Sequence, residues 1–308
     1  MATTLALEWP ALPYAAWKDT RDTLHLWTQV VGKIRLAHTP WINHSWHVAL
    51  YLTARGLTTS VIPYGARAFQ IDFDFIDHVL CVRTSDGQVR QLTLAPMPVA
   101  QFYADLLALL TELGLDTRID PMPNEIADAI PFDRDRVHAS YDREYAARFW
   151  RILLSAHRVF ALFRTRFLGK VSPVHFFWGS FDLAVTRFSG RAAPPLAGSS
   201  TPNVAPWVMQ EAYSHECSSV GFWPGNGGYG RAAFYSYAYP EPDGFGGAPV
   251  APQDAAYNPD VGQFLIDYEA VRTAASPDEA LLAFMQSTYE AAANRLKWDR
   301  GALERADR

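Results

Sequence analysis

Hydrophobic positions along the chain switch between two periods. Over residues 24–36, Leu26, Val30 and Ile34 recur every four residues while Lys33 and Arg35 fall off that row, the pattern of an amphipathic helix. Asp19 or Thr20 offers it a cap, and Pro40 stops it. Residues 48–59 read as strand. Residues 68–75 then alternate strictly, with Phe69, Ile71, Phe73 and Phe75 on one face and Gln70, Asp72 and Asp74 on the other. Residues 80–84 and 91–94 pair across Ser85-Asp86-Gly87 as a hairpin. Pro98 opens a second helix through Leu113, and Gly114 ends it. Residues 119–131, with three prolines, read as a linker.

The same order returns. Residues 145–167 form a long helix closed by Gly169, residues 174–188 a strand pair or one bent strand, and residues 212–222 and 232–239 further strands. Pro277 opens a last helix through Asn294. Stretches 191–206, 224–230 and 240–252 are rich in Pro or Gly and read as loops. Trp46 and Arg55 match Trp178 and Arg187 at a common offset of 132. The expected fold is therefore α+β. One domain, 1–308, is built of two pseudo-repeated α-β-β-β-α halves, 14–120 and 140–298. Their antiparallel strands join into a continuous sheet or half-barrel, with helices on the outer face.

Composition narrows the function. Of 308 residues, 49% are apolar, which excludes a disordered chain. A net charge of −5 gives no pull toward nucleic acid or anionic membrane. Cys81 and Cys217 are too few for a disulfide framework. No apolar run approaches the ~18 residues that span a bilayer, and the N-terminus lacks a signal-peptide pattern. These features read as a soluble cytoplasmic protein with a small-molecule partner. Aromatic residues reach 14%, a share suited to an aromatic-lined pocket.

HExxH, CxxC, a P-loop and GxSxG are absent, Gly179-Ser180 lacking the second glycine. Two strand-like segments concentrate polar chemistry instead. SPVHFFWGSFDLAVTRFSG carries His175, Trp178, Ser180, Asp182 and Arg187. YSHECSSVGFW carries His215, Glu216, Cys217 and Trp223. Polar groups this dense on strands must be paired or hydrated, so a structural hydrogen-bond network is one reading. The other is a catalytic cleft. His175 and His215 would then transfer protons or, with Glu216, bind a divalent metal such as zinc or iron, and Asp182 and Glu216 would orient them. Arg187 and Arg55 would bind a carboxylate, with Trp178, Trp223 and His47 completing the substrate site. His138 has no partner that the sequence assigns. The functional reading is an enzyme acting on a small aromatic or carboxylate-bearing molecule between the halves. The alternatives are a non-catalytic binding or sensing module, and a structural partner protein.

The strings TLHLWTQVVGKIRL, LYLTARGLTTS, FQIDFDFIDH, SPVHFFWGSFDLAVTRFSG, AYSHECSSVGFWPG and AYPEPDGF resemble the bacterial family known only as a domain of unknown function, DUF5996. The resemblance runs from about Trp9 to Trp298 and implies one intact family member. It implies no activity.

Overall fold

A computed structural model describes residues 9–198 and 201–306. Residues 1–8, where no signal pattern was read, lie outside the described part. Helix α1 (Tyr14–His38) starts six residues before Thr20, directly after Pro13, and ends at Thr39, ahead of Pro40. It is not a surface helix. Every residue from Thr23 to Arg35 is buried, so the off-row polar residues are enclosed too. They are tolerated because they bond to loop backbone: Arg35 donates to the Ala49 carbonyl, Lys33 to that of Met122 and Gln29 to that of Asn124. The expectation that all helices lie on an outer face fails for α1, which runs through the middle of the protein.

Strands β1 (Tyr51–Leu52), β2 (Gly56–Thr58), β3 (Ile62–Tyr64), β4 (Arg67–Asp74), β5 (Val79–Thr84) and β6 (Val89–Thr93) form one antiparallel sheet, ordered β1-β2-β4-β5-β6 with β3 beside β4. The alternation in β4 holds: Phe69, Ile71 and Phe73 are buried and their neighbours half-buried. Helix α2 (Val99–Glu112) follows, and then the long helix α3 (Arg143–Thr165), whose Asp142 cap accepts the Glu144 and Tyr145 N–H groups.

The second sheet is also antiparallel and six-stranded. Its strands are β7 (His175–Phe177), β8 (Asp182–Ala192), β9 (His215–Trp223), β10 (Ala233–Tyr239), β11 (Ala256–Asn258) and β12 (Gln263–Asp267), in the order β11-β12-β10-β9-β8-β7. Helix α4 (Pro206–Ala212) precedes β9, and α5 (Tyr268–Arg272), α6 (Pro277–Arg295) and α7 (Arg300–Leu303) end the chain. Neither sheet closes into a barrel. Their backbones join at one bridge, where Leu50 and Phe176 exchange two hydrogen bonds of 2.9 Å, so the expected continuous sheet is reduced to a single bridge. The residues paired across the halves sit in unlike surroundings: Arg55 is an exposed ion-pair former and Arg187 a core residue. Both cysteines are free and buried. No helix among the described residues is long and apolar enough to cross a membrane.

Candidate functional site

Residues opposite one another in an antiparallel sheet share a face. On one face of the second sheet, His175, Ala184, Gly221 and Tyr235 lie in a row, followed by Thr186, Ser219 and Tyr237. His175 is only 1% exposed. Trp46, Tyr51 and Phe177 enclose its ring at centroid distances of 5.2–5.5 Å, and neither ring nitrogen has a partner. Burial, reinforced by the charges of Arg35 and Arg164, pushes its pKa down to about 3. It is a neutral ring inside an aromatic box. His215 is exposed at the start of β9, with Nδ1 3.0 Å from Ser214 Oγ. Strand alternation turns Glu216 to the opposite face, where it accepts from Arg191 at 2.7 Å and Ser189 at 2.9 Å. His175, His215 and Glu216 are therefore not gathered as one ligand set. No group of three or more His, Cys, Asp or Glu among the described residues is placed to hold a metal ion.

Asp182 is buried on the same face as His175, accepting from the Tyr235 hydroxyl. Burial pushes its pKa up to about 7, and the nearby Glu125 carboxylate acts in the same direction. Its other oxygen, Oδ1, has no partner. A raised acid pKa contributes stability that is complete below the unfolded value near 4 and is lost as pH rises toward 7. Asp182→Asn is expected to be about 1–2 kcal/mol more stable than wild type at pH 8 and to have a clearly smaller advantage at pH 5, read by urea unfolding. An advantage that did not change with pH would remove the buried charge as its cause.

The remaining predicted residues are mostly structural. Arg187 is fully buried, its guanidinium 3.4 Å from the Phe163 ring centroid and 4.3 Å from that of Tyr289, and burial pushes its pKa down to about 9. Arg55 sits in ion pairs with Asp74 and Asp77 at the surface. Trp178 donates its indole N–H to the Val48 carbonyl at 2.8 Å. His47 is buried, with its Nδ1 3.1 Å from the Ile42 amide. Trp223 is half-buried and lines a cavity that the sequence did not reveal.

That cavity is a cleft of about 530 Å³. Its walls are the first half of α1 (Arg21, Asp22, His25, Leu26), the loop 125–130, the pair Asp135 and His138, and the β7–β8 turn (Gly179, Ser180), with Trp223 and Asn226 also lining it. The loop is latched at one end. Gln29 receives the Asn124 amide at 2.8 Å, Glu125 N–H bonds the Pro202 carbonyl, and Asn203 donates to the Pro123 carbonyl at 2.9 Å. The Glu125 carboxylate then folds over Gly179, where a Cβ would lie 2.0 Å from Glu125 Oε1, and accepts the Ser180 hydroxyl. A side chain at position 179 would have to push that carboxylate aside. Glu125 is exposed overall, but desolvation of its carboxyl pushes its pKa up. His25 sits below, Nε2 2.8 Å from the Gly179 carbonyl and ring 5.0 Å from Phe181. Burial and the Arg21 charge push its pKa down to about 3.

Asp135 is fully buried. Its Oδ1 accepts the Val137 and His138 amides at 3.0 and 3.1 Å, and its Oδ2 lies 2.7 Å from His138 Nδ1. The carbonyls of Asp135 and His138 accept the amides of Ala100 and Val99, two of the orphan donors at the start of α2. A helix start thus fixes a carboxylate–imidazole pair whose ring, about a third exposed, faces the cleft. The signal in the sequence was Asp-x-x-His beside a proline-rich segment, which has no periodicity to detect.

Fold and cleft define the class: an α+β protein with two antiparallel sheets around a buried helix, and a carboxylate-oriented histidine on a metabolite-sized cleft. The chain belongs to the family of unknown function DUF5996, whose family model matches residues 9–305, nearly the whole chain. No curated protein and no solved structure matches it.

Proposed function

We propose that the protein is an acid–base enzyme acting on a small organic molecule in this cleft, with His138 as the proton-transferring group. The observation that carries the reading is the 2.7 Å contact between His138 Nδ1 and the buried Asp135 carboxylate, at the wall of a 530 Å³ cavity. A carboxylate on Nδ1 fixes the tautomer that leaves Nε2 free to accept a proton, and it stabilises the imidazolium once formed. The volume falls in the range of small-ligand sites, roughly 300–1,000 Å³. Leu26 and Trp223 supply apolar wall, and Arg21, Ser180 and Asn226 supply polar contacts.

A second reading, a non-catalytic binding module, is favoured by Asp135 itself. Both its oxygens are used to fold its own turn, a role it would keep without any chemistry. His138→Gln separates the two. Starting from molecules found by a conversion screen of mixed metabolites, the enzyme reading expects turnover to fall about 100-fold or more, with substrate affinity within about threefold of wild type. Wild-type protein that binds screen members in the cleft and converts none of them would establish the second reading instead.

A further inference from the structure

Arg21 is a charged side chain that is only 8% exposed and lines the cleft. One of its terminal nitrogens, Nη1, reaches Asp22 at 2.8 Å, and its guanidinium carbon lies 5.5 Å from the Phe181 ring centroid. Its Nε is buried with no partner. A guanidinium offers five donors, and one carboxylate at the edge leaves this one under-satisfied in a desolvated place. The group that would complete it is planar, anionic and small. A carboxylate matches that fork.

The rest of the lining sets the ligand's total charge. Four carboxyl groups share the cavity with this single guanidinium: Asp22, Glu125, Asp128 and Asp135. Asp22 is engaged by Arg21, and Asp135 by His138. Glu125 and Asp128 lie on the loop 125–130, and both are exposed. A dianion such as a phosphate monoester would meet more negative than positive charge here. A ligand with one carboxylate and one ammonium would meet both. Trp223 on the wall adds an aromatic face that suits an organic cation.

We propose that the cleft takes a small zwitterion of the amino-acid type, its carboxylate on Arg21 and its ammonium toward Asp128 and Glu125. This rests on the reading of the cleft as the working site and names its ligand class. The probes are the twenty standard amino acids and, for the tightest binder, its decarboxylated amine and its deaminated acid. Binding to the full chain is followed by Trp223 fluorescence and by NMR of His138.

The expected result is that at least one amino acid binds, and that its amine and its acid each bind at least tenfold more weakly. Arg21→Lys, which keeps the charge but loses the fork, should bring the amino acid to within about threefold of its amine. Asp128→Asn, at an exposed position, should bring it to within about threefold of its acid. Binding by none of the twenty overturns the inference. So does equal binding of the parent, amine and acid, or a ranking that both variants leave unchanged. Should uncharged or singly charged molecules perturb His138 and Trp223 where no amino acid does, the zwitterion assignment falls and the cleft reading stands.

Discussion

Lowering the pH from 7 to about 4.5 is expected to remove about 5 kcal/mol of folding stability, enough to unfold much of a protein of ordinary stability. The cause lies in three histidines that folding keeps neutral. Burial, first among the causes, pushes His25 and His175 down to about 3 and His44 to about 4. Burial also lowers His38, His47, His78 and His157. A histidine whose folded pKa is depressed leaves the unfolded chain binding the proton first, so stability is complete above about 6.5 and drains away as pH falls toward the folded value. Asp182 and Glu125 run the other way, because their raised pKa values let the folded protein hold protons that the unfolded chain releases. The balance is about two net protons taken up on unfolding, at about 1.4 kcal/mol per proton and pH unit over about two units. Urea midpoints between pH 7 and 4.5 measure it. His25→Gln, which retains an N–H for the Gly179 carbonyl, should reduce the slope by about one proton. A flat profile would mean that these rings are solvated or paired in the folded protein.

The fold was more legible than the site, for physical reasons. Long periodic segments were readable because their burial follows one face. The β4 alternation, the hairpin of β5 and β6, and helices α2, α3 and α6 were all foreseen to within a few residues. Helix α1 was recognised but given the wrong place, since Lys33 and Arg35 look solvent-facing until loop carbonyls are there to receive them. Helix α4 and strands β11 and β12 went unread because each is short and lies just beyond a Pro- or Gly-rich stretch. On the second sheet, crowded polar residues left a hydrogen-bond network and a catalytic cleft as alternatives. There the structure shows hydrogen-bonded or enclosed groups and no gathered ligand set, as for His175 in its aromatic box and Glu216 on Arg191. The cleft instead draws its lining from α1, a proline-rich linker, a hairpin turn and the end of β9. His138 looked partnerless because its partner stabilises a loop, and loops carry no repeat that marks which side chains converge.

Gly32→Ala is expected to destabilise the protein by about 3 kcal/mol, although alanine in place of glycine within a helix usually stabilises by up to about 1 kcal/mol. The reversal follows from a single contact. Gly32 lies in the buried stretch of α1, and a Cβ there would stand 2.2–2.3 Å from Nε1, Cδ1 and Cε2 of Trp178. The indole is not a flexible end that can turn aside. It is buried and held by its 2.8 Å bond to the Val48 carbonyl. To admit the methyl group, either α1 moves off the second sheet or Trp178 withdraws and leaves that carbonyl without its donor. Overpacking of this kind costs about 1–3 kcal/mol and an orphaned buried polar group about 1–3 kcal/mol more. Trp178 also begins the turn that carries Gly179 and Ser180, so the same displacement should loosen Ser180 from Glu125 and weaken ligand binding in the cleft. Trp178→Leu alone should cost about 2–4 kcal/mol through the cavity it opens, yet that cavity is the space the new methyl group needs. The double variant should therefore be at least about 2 kcal/mol more stable than the sum of the two single changes predicts. Urea unfolding of the four proteins closes the cycle. Simple additivity would show that the close approach of helix and indole is not what requires glycine at this position.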